Sequence, residues 1–315
     1  MTELIEFREV SKFYGDIQVL KNINLTIQKG DFFILVGPSG SGKTTVLKMI
    51  NALIEPSEGD VYFNGKRIKD YDIQQLRWQI GYVLQKVALF PTMTVAENIE
   101  IVPELLGWSK EKRRERSRHL LESVDMKPDL YMNRMPDELS GGQQQRIGIL
   151  RGLAAQPDIL LMDEPFSALD PLSRQSLQDE VLNIHQQIGV TIVFVTHNMD
   201  EALKLGSSIG IIREGELLQV TSPEDLQASH NHGFVSQFFG KSINQEAQKV
   251  SLGQLSAWGY SQKTSENPQS IFSSKTKLQD IYSIMVQEEC IGIKQEDGSI
   301  HAIDRARIFE YLSQN

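Results

Sequence analysis

The chain has 315 residues, 40% of them apolar, which allows one large domain with a small companion and enough material for a packed core. Its 32 Lys plus Arg against 41 Asp plus Glu give a formal net charge of −9, which disfavours a general grip on DNA or RNA phosphates. A single cysteine, Cys290, excludes an intrachain disulfide or a cysteine-rich zinc site and fits a reducing compartment.

The apolar segments Ile5–Val10, Ile23–Ile27 and Val61–Phe63 read as antiparallel strands, with Asn64-Gly65 supplying a type I′ hairpin turn. Phe32–Val36 is a continuous β-branched and aromatic run, as expected for a strand covered on both faces, and a helix is expected over Lys43–Leu53. From Val87 to Asp137 the texture changes. This stretch holds Pro91, Pro103, Pro128 and Pro136 together with a charged helix at Lys110–Ser123, and reads as a helical insertion between sheet strands. Its basic run, Lys110–Arg118, suits either a solvated helix face or a docking surface for an acidic partner. Helix Gly141–Ala155, strand Ile159–Met162, helix Leu172–Ile188, and strands Thr191–Thr196 and Ile209–Ile212 follow. Such alternation argues for a parallel α/β sheet. Gln237–Ser274 turns polar and reads as a linker, and Leu278–Leu312 recovers a strand–turn–helix pattern with a hairpin turn at Asp297-Gly298. No stretch approaches about 18 consecutive apolar residues, and the first ten residues carry acids where a signal peptide needs a basic then apolar run. The expected chain is soluble and cytoplasmic, with any membrane role carried by a partner.

Three segments carry chemistry. Gly37-Pro38-Ser39-Gly40-Ser41-Gly42-Lys43-Thr44 fits G-x-x-x-x-G-K-[ST], follows a strand and opens a helix. Its glycines let backbone N–H groups wrap a phosphate, Lys43 brings a cation to the β- and γ-phosphates, and the Thr44 hydroxyl suits Mg²⁺. Asp163-Glu164 follows the Ile159–Met162 strand, and His197 follows Thr191–Thr196, so both share a sheet edge with Gly37. Ligands of open parallel sheets bind beyond the carboxyl ends of strands. On that edge Asp163 suits the Mg²⁺ shell, Glu164 can polarise an attacking water, and the His197 imidazole can donate to the γ-phosphate. Leu139-Ser140-Gly141-Gly142-Gln143 opens a second glycine-lined helix N-terminus, with Ser140 able to cap it. One phosphate tail already has its cradle at residues 37–44, so this second one needs another nucleotide, which a second subunit could supply.

Together, Tyr14, Gly37–Thr45, Gln85, Leu139–Arg146, Ile159–Pro165, Ser167–Asp170 and His197 resemble the nucleotide-binding subunit of an ABC transporter over roughly residues 3–240. The resemblance implies a P-loop NTPase core, with an N-terminal antiparallel β subdomain and a helical subdomain near residues 87–155. It implies ATP and Mg²⁺ as cofactors, with Ser39, Gly40, Ser41, Gly42, Lys43, Thr44 and Thr45 around the phosphates and metal. It further implies a head-to-tail homodimer in which each ATP lies between one P-loop and the partner's Ser140, Gly141, Gly142 and Gln143. In that arrangement Tyr14 would stack on adenine, Gln85 would sense Mg²⁺ and water while linking to a permease, and Asp170 would contact across the dimer. Phe90-Pro91-Thr92-Met93-Thr94-Val95-Ala96-Glu97-Asn98 resembles importer ATPases. Met49-Ile50-Asn51 and Ile80–Gln85 resemble the branch importing quaternary amines such as glycine betaine, carnitine and choline. The implied partners are an integral membrane permease and, indirectly, a solute-binding protein, with the chain peripheral on the cytoplasmic face of the membrane. After a linker at 241–274, residues 275–315 are similar to one cystathionine-β-synthase-type half, read either as a regulatory nucleotide site or as a dimerisation unit. Other readings are an importer ATPase for a different solute such as an amino acid, an exporter fragment, or a soluble ABC-type ATPase acting on nucleic acid. Relatives of the last kind usually carry coiled coils, zinc cysteines or two cassettes, none of which this sequence has.

Overall fold

Two long strands open the chain, β1 (Glu3–Tyr14) and β2 (Ile17–Gln28), paired antiparallel around a tight turn at Gly15. Leu20, Ile23, Leu25 and Ile27 of β2 are buried and the residues between them are not, so one face of the ribbon is apolar. In β1 the register slips between Phe7 and Val10, and Glu9 takes a left-handed backbone (φ 50), which turns Val10 back toward the core after Ile5 and Phe7. With β4 (Glu58–Phe63) and β5 (Lys66–Arg67) these strands make a four-stranded sheet of order β2-β1-β4-β5. Asn64 (φ 48) and Gly65 (φ 74) form the two-residue turn between β4 and β5, both left-handed as a type I′ turn requires.

The second sheet has order β10-β9-β3-β8-β7-β6 and is parallel except for the β9–β10 hairpin. Its strands are β3 (Phe32–Val36), β6 (Ile80–Val83), β7 (Ile159–Asp163), β8 (Thr191–Thr196), β9 (Ser208–Arg213) and β10 (Glu216–Thr221). Every residue of β3 and β8 is buried, as their unbroken apolar runs demand. Helix α1 (Lys43–Ile50) joins the two sheets: Val46, Leu47, Met49 and Ile50 share one apolar cluster with Ile5 and Phe7 of the first sheet and Leu161 and Val193 of the second. Helix α2 (Ile73–Trp78), capped by Asp72, leads into β6.

Between β6 and β7 the chain is helical: α3 (Val95–Leu105), α4 (Lys110–Glu122), α5 (Pro128–Tyr131) and α6 (Gly141–Leu153). Thr94 and Glu97 close a reciprocal capping box on α3, and the fully buried Asn98 amide donates to the carbonyls of Phe90, Met93 and Thr94, fixing the preceding loop. Within the basic run of α4, Lys110, Lys112, Arg114 and Arg118 are exposed, and several of its arginines have partners within the chain. Arg113 pairs with Glu104 at 2.7 Å and Arg118 with Asp129 at 2.9 Å. Arg116 donates to the Leu153 and Ala154 carbonyls at the C-terminus of α6, where a cation also meets the helix dipole favourably. Helices α7 (Pro171–Ile188) and α8 (Met199–Leu205) flank β8.

The computed structural model describes residues 2–228, 250–263, 268, 270–285, 288, 290–295 and 297–314. Two units divide the chain, Met1–Gln227 and Ala228–Asn315. The boundary expected at 240 and residues 241–249 of the expected linker lie outside the described residues. From 250 onward the expected linker differs from what is seen. It carries helix Leu252–Ala257 and strands β11 (Gln262–Lys263) and β12 (Ile271–Ser273). Leu252 and Leu255 are completely buried against Leu278, Ile281, Ile291 and Ile293, so the polar composition hides two core positions. Strands β13 (Cys290–Lys294) and β14 (Ile300–Asp304) pair antiparallel around the expected Asp297-Gly298 turn, and this sheet runs β11-β14-β13-β12.

Candidate functional site

Order β3-β8-β7-β6 places four parallel strands side by side, so their carboxyl ends form one edge. Val36 pairs with Thr196 and Asp163 with Val195, which brings the segments after β3, β7 and β8 to the same level. The sequence-predicted residues Gly37, Asp163, Glu164 and His197 therefore meet at neighbouring strand tips.

At the first tip, residues 37–42 wind tightly into α1. A Cβ on Gly37 would lie 2.1 Å from the Ile212 carbonyl oxygen and 2.8 Å from Ser41 Oγ, so only glycine fits. Gly42 caps α1 with φ 102, a conformation that side chains rarely adopt, and a Cβ there would lie 2.5 Å from the Leu20 side chain. Ser39 and Gly40 are exposed, while Ser41 is buried with a hydroxyl that has no hydrogen-bond partner. Lys43 is 4% exposed, and its ammonium donates to the carbonyls of Gly37 (2.7 Å) and Pro38 (2.8 Å). Burial pushes its pKa down, while the nearby Glu164 and Asp163 carboxylates pull it back up. A buried cation, an unpartnered hydroxyl and a bare glycine loop at a helix N-terminus fit a phosphate group.

At the second tip, Thr44 Oγ1 donates to Asp163 Oδ1 at 3.0 Å. Burial pushes the Asp163 carboxyl up, opposed by the Thr44 hydrogen bond. This half-buried hydroxyl–carboxylate pair has the hard oxygen chemistry that Mg²⁺ takes. Thr45 is half-buried on the next position of α1. Glu164 stands in a left-handed backbone (φ 44), sparsely populated for a non-glycine residue, and its N–H donates to the Val195 carbonyl. That turn points the carboxylate along the edge, where Glu164 Oε2 lies 3.2 Å from His197 Nδ1. The His197 side chain is 55% exposed and that of Glu164 19%, so the acid is sheltered and the imidazole faces outward.

Gln85, beyond β6, joins the same edge: its amide donates to Ser167 Oγ at 3.4 Å, and Ser167 Oγ donates to the Glu164 carbonyl at 2.9 Å. Ser167 thus links Gln85 to the Glu164 turn, a role its position in the sequence does not reveal. Asp170 caps α7 by accepting from the Ser173 N–H. Ser140 and Gln143 close a reciprocal capping box on α6, and Gln143 also donates to the Tyr131 hydroxyl. Among the described residues, no hydrogen bond links Ser140, Gly141, Gly142 or Gln143 to residues 37–44. Tyr14 sits at the exposed tip of the β1–β2 ribbon with Lys12 5.2 Å above its ring.

The sequence profile of the ABC transporter family matches residues 20–167. The chain is 52% identical over 239 residues to the glycine betaine/carnitine/choline transport ATP-binding protein OpuCA of Bacillus subtilis, a match covering 76% of this chain and 63% of that protein. The aligned chain therefore spans just under two thirds of that relative's length. It is 40% identical over 287 residues to the glycine betaine uptake system ATP-binding protein YehX of Escherichia coli, covering 91% of this chain and 92% of that one. Among solved structures, a dimeric post-hydrolysis state of the ATP-binding cassette MJ0796 bound to ADP and Pi is similar, with TM-score 0.62 and 35% identity over 70% of this chain and 99% of that one. Fold, strand-tip constellation and relatives agree: the chain belongs to the ABC transporter family.

Proposed function

We propose that this chain is the ATP-hydrolysing subunit of an importer, and that the solute is a small quaternary amine such as glycine betaine, carnitine or choline. One observation carries the hydrolytic half: Lys43, the Thr44–Asp163 pair and the Glu164–His197 pair converge on adjoining strand tips. The solute half is supported by the relatives, since YehX matches along nearly its whole length.

In this reading residues 37–45 cradle the triphosphate, with Lys43 on its terminal oxygens and Tyr14 against the adenine. Thr44, Asp163 and Gln85 would hold Mg²⁺, which when bound neutralises charge on the β- and γ-phosphates. Glu164 accepts a proton from the attacking water. The water oxygen bonds to the γ-phosphorus, and the bond from that phosphorus to the bridging oxygen breaks toward ADP. His197 donates to the phosphoryl oxygens and is held in place by Glu164 Oε2. The Ser140–Gln143 helix start closes over the nucleotide of a second copy, and Asp170 lies at that junction. A dimeric relative supports the pairing. Gln85 and the loop pinned by Asn98 face the permease, which makes the chain peripheral to the membrane. No helix among the described residues is long and apolar enough to cross one.

The catalytic constellation lies wholly within Met1–Gln227, and the second unit has its own core. Deleting residues 241–315 is therefore expected to leave basal ATP turnover within about threefold of the full chain, because every group touching the reaction is retained. A folded truncation without turnover would overturn that division. The solute reading is tested by expressing the chain with a permease of this transporter branch, in cells lacking their own uptake of these amines. Uptake of labelled glycine betaine, carnitine or choline is expected, lost with Glu164→Gln. Nucleic acid in place of a permease in the purified complex would favour the soluble alternative.

A further inference from the structure

Helix α8 begins two residues after His197, and the residue that closes its first turn points inward. Asn198 caps the helix, its Oδ1 accepting from the Asp200 N–H at 2.8 Å and the Glu201 N–H at 3.4 Å. Acids on the first turn of a helix usually stay in water, where the dipole favours them without a desolvation cost. Glu201 is only 7% exposed. Burial pushes its carboxyl up, opposed first by a hydrogen bond from Thr196 and then by the charge of Arg174.

Both carboxylate oxygens are engaged. Thr196 Oγ1 donates to Glu201 Oε2 at 2.6 Å, and the Gln178 amide donates to Oε1 at 3.3 Å. The same Thr196 oxygen accepts from the Asn198 N–H at 3.0 Å. The residues on either side of His197 are thus strapped together by one hydroxyl, and that hydroxyl is oriented by Glu201. Gln178 lies on α7, where its Oε1 accepts from Lys204. One turn earlier Arg174 donates to the Leu169 carbonyl, beside the Asp170 cap. Glu164, Arg174, Thr196, His197 and Glu201 line a single cavity of about 60 Å³.

We propose that Glu201 is a positioning residue for His197: through Thr196 it fixes the backbone on both sides of the imidazole, and through Gln178 it ties that segment to the helix capped by Asp170. The hydrophobic alternative at this site would be a leucine or alanine, which needs none of these partners and packs at lower cost. A buried acid with two directed acceptors supplies orientation instead. The consequence for turnover rests on the hydrolytic reading above.

The test uses the purified full chain with Glu201→Ala, Glu201→Gln, His197→Ala and the Glu201→Ala/His197→Ala double variant. Glu201→Ala is expected to lower kcat by about 10- to 100-fold, as misplacing a reacting group does, with the ATP KM changed by less than about threefold. Glu201→Gln is expected to recover part of the loss, because its amide oxygen still accepts from Thr196 while its NH2 cannot accept from the Gln178 amide. In the double variant, Glu201→Ala is expected to add no further loss to that of His197→Ala, since it acts through the imidazole. Independently of turnover, the His197 Nδ1 nitrogen resonance is expected to shift in Glu201→Ala and to shift less in Glu201→Gln, which keeps the Thr196 tether and loses the Gln178 one. Full additivity in the double variant, or an unmoved His197 resonance, would overturn the proposal. Should Glu201→Ala fail to fold, Gln178→Ala removes one tether only, and the same resonance must move. A wild-type chain without turnover, yet with the resonance shift intact, would remove the hydrolytic reading while leaving the tether standing.

Discussion

Glu164→Gln is expected to cut ATP turnover by about 10²- to 10⁴-fold, the range a positioned general base contributes, while the chain still binds nucleotide. Glutamine keeps the shape of the side chain and an oxygen that can accept from His197 Nδ1, so the local geometry survives. What it loses is the capacity to take a proton from water. Removing one negative charge also relieves the neighbouring Asp163, whose carboxyl is already pushed up by burial and by Glu164 beside it. Nucleotide affinity should therefore hold or rise. With closure intact and opening dependent on hydrolysis, the variant should accumulate as an ATP-bound dimer on size exclusion. Single-turnover phosphate release measures the chemical step directly, and near-normal release would take Glu164 out of this role.

Lys43→Ala should act one step earlier. The ammonium is buried, with hydrogen bonds to two carbonyls of its own loop and two carboxylates nearby. It is the only cation the Gly37–Thr44 loop carries, so its loss removes the loop's one charge-assisted hydrogen bond to a triphosphate that lies beside Asp163 and Glu164. A hydrogen bond to a charged group is worth about 1.5–3 kcal/mol, which corresponds to roughly a 10- to 100-fold weaker ATP affinity. Calorimetric titration reads that change directly, with circular dichroism to establish that the variant is folded. Unchanged affinity would contradict the phosphate assignment of this loop.

How much of this could be read from the residues alone depended on what each feature needs. Strand Phe32–Val36 coincides with its apolar run and strand Thr191–Thr196 extends its own by one threonine at each end, because both faces are covered and the threonine hydroxyls find partners at the two ends. The Gly37–Thr44 loop was legible because its chemistry is local: a glycine that a Cβ cannot replace, then a lysine and a threonine at fixed spacing. Helix ends were harder. The first helix stops at Ile50 rather than Leu53, since Ala52 adopts φ 48 and does what a glycine normally does, leaving no residue signal. Helix Val95–Leu105 was obscured by Pro103, although the T-x-x-E capping box at Thr94–Glu97 does announce its start. Glu201 was illegible for a deeper reason. It becomes a buried acceptor only once α7 brings Gln178 and the end of β8 brings Thr196 to the start of α8, and an acid near a helix start ordinarily means a solvated one.

Leu252 and Leu255 carry a practical lesson for anyone dissecting this protein. Because these side chains complete the interior of the small C-terminal unit, a fragment designed to begin at residue 275 would leave a hole among Leu278, Ile281, Ile291 and Ile293 and expose greasy surface to water. Sticky, poorly behaved material from such a fragment would say nothing about whether the unit is autonomous. A cloning junction placed ahead of Val250 keeps both leucines with the residues they pack against.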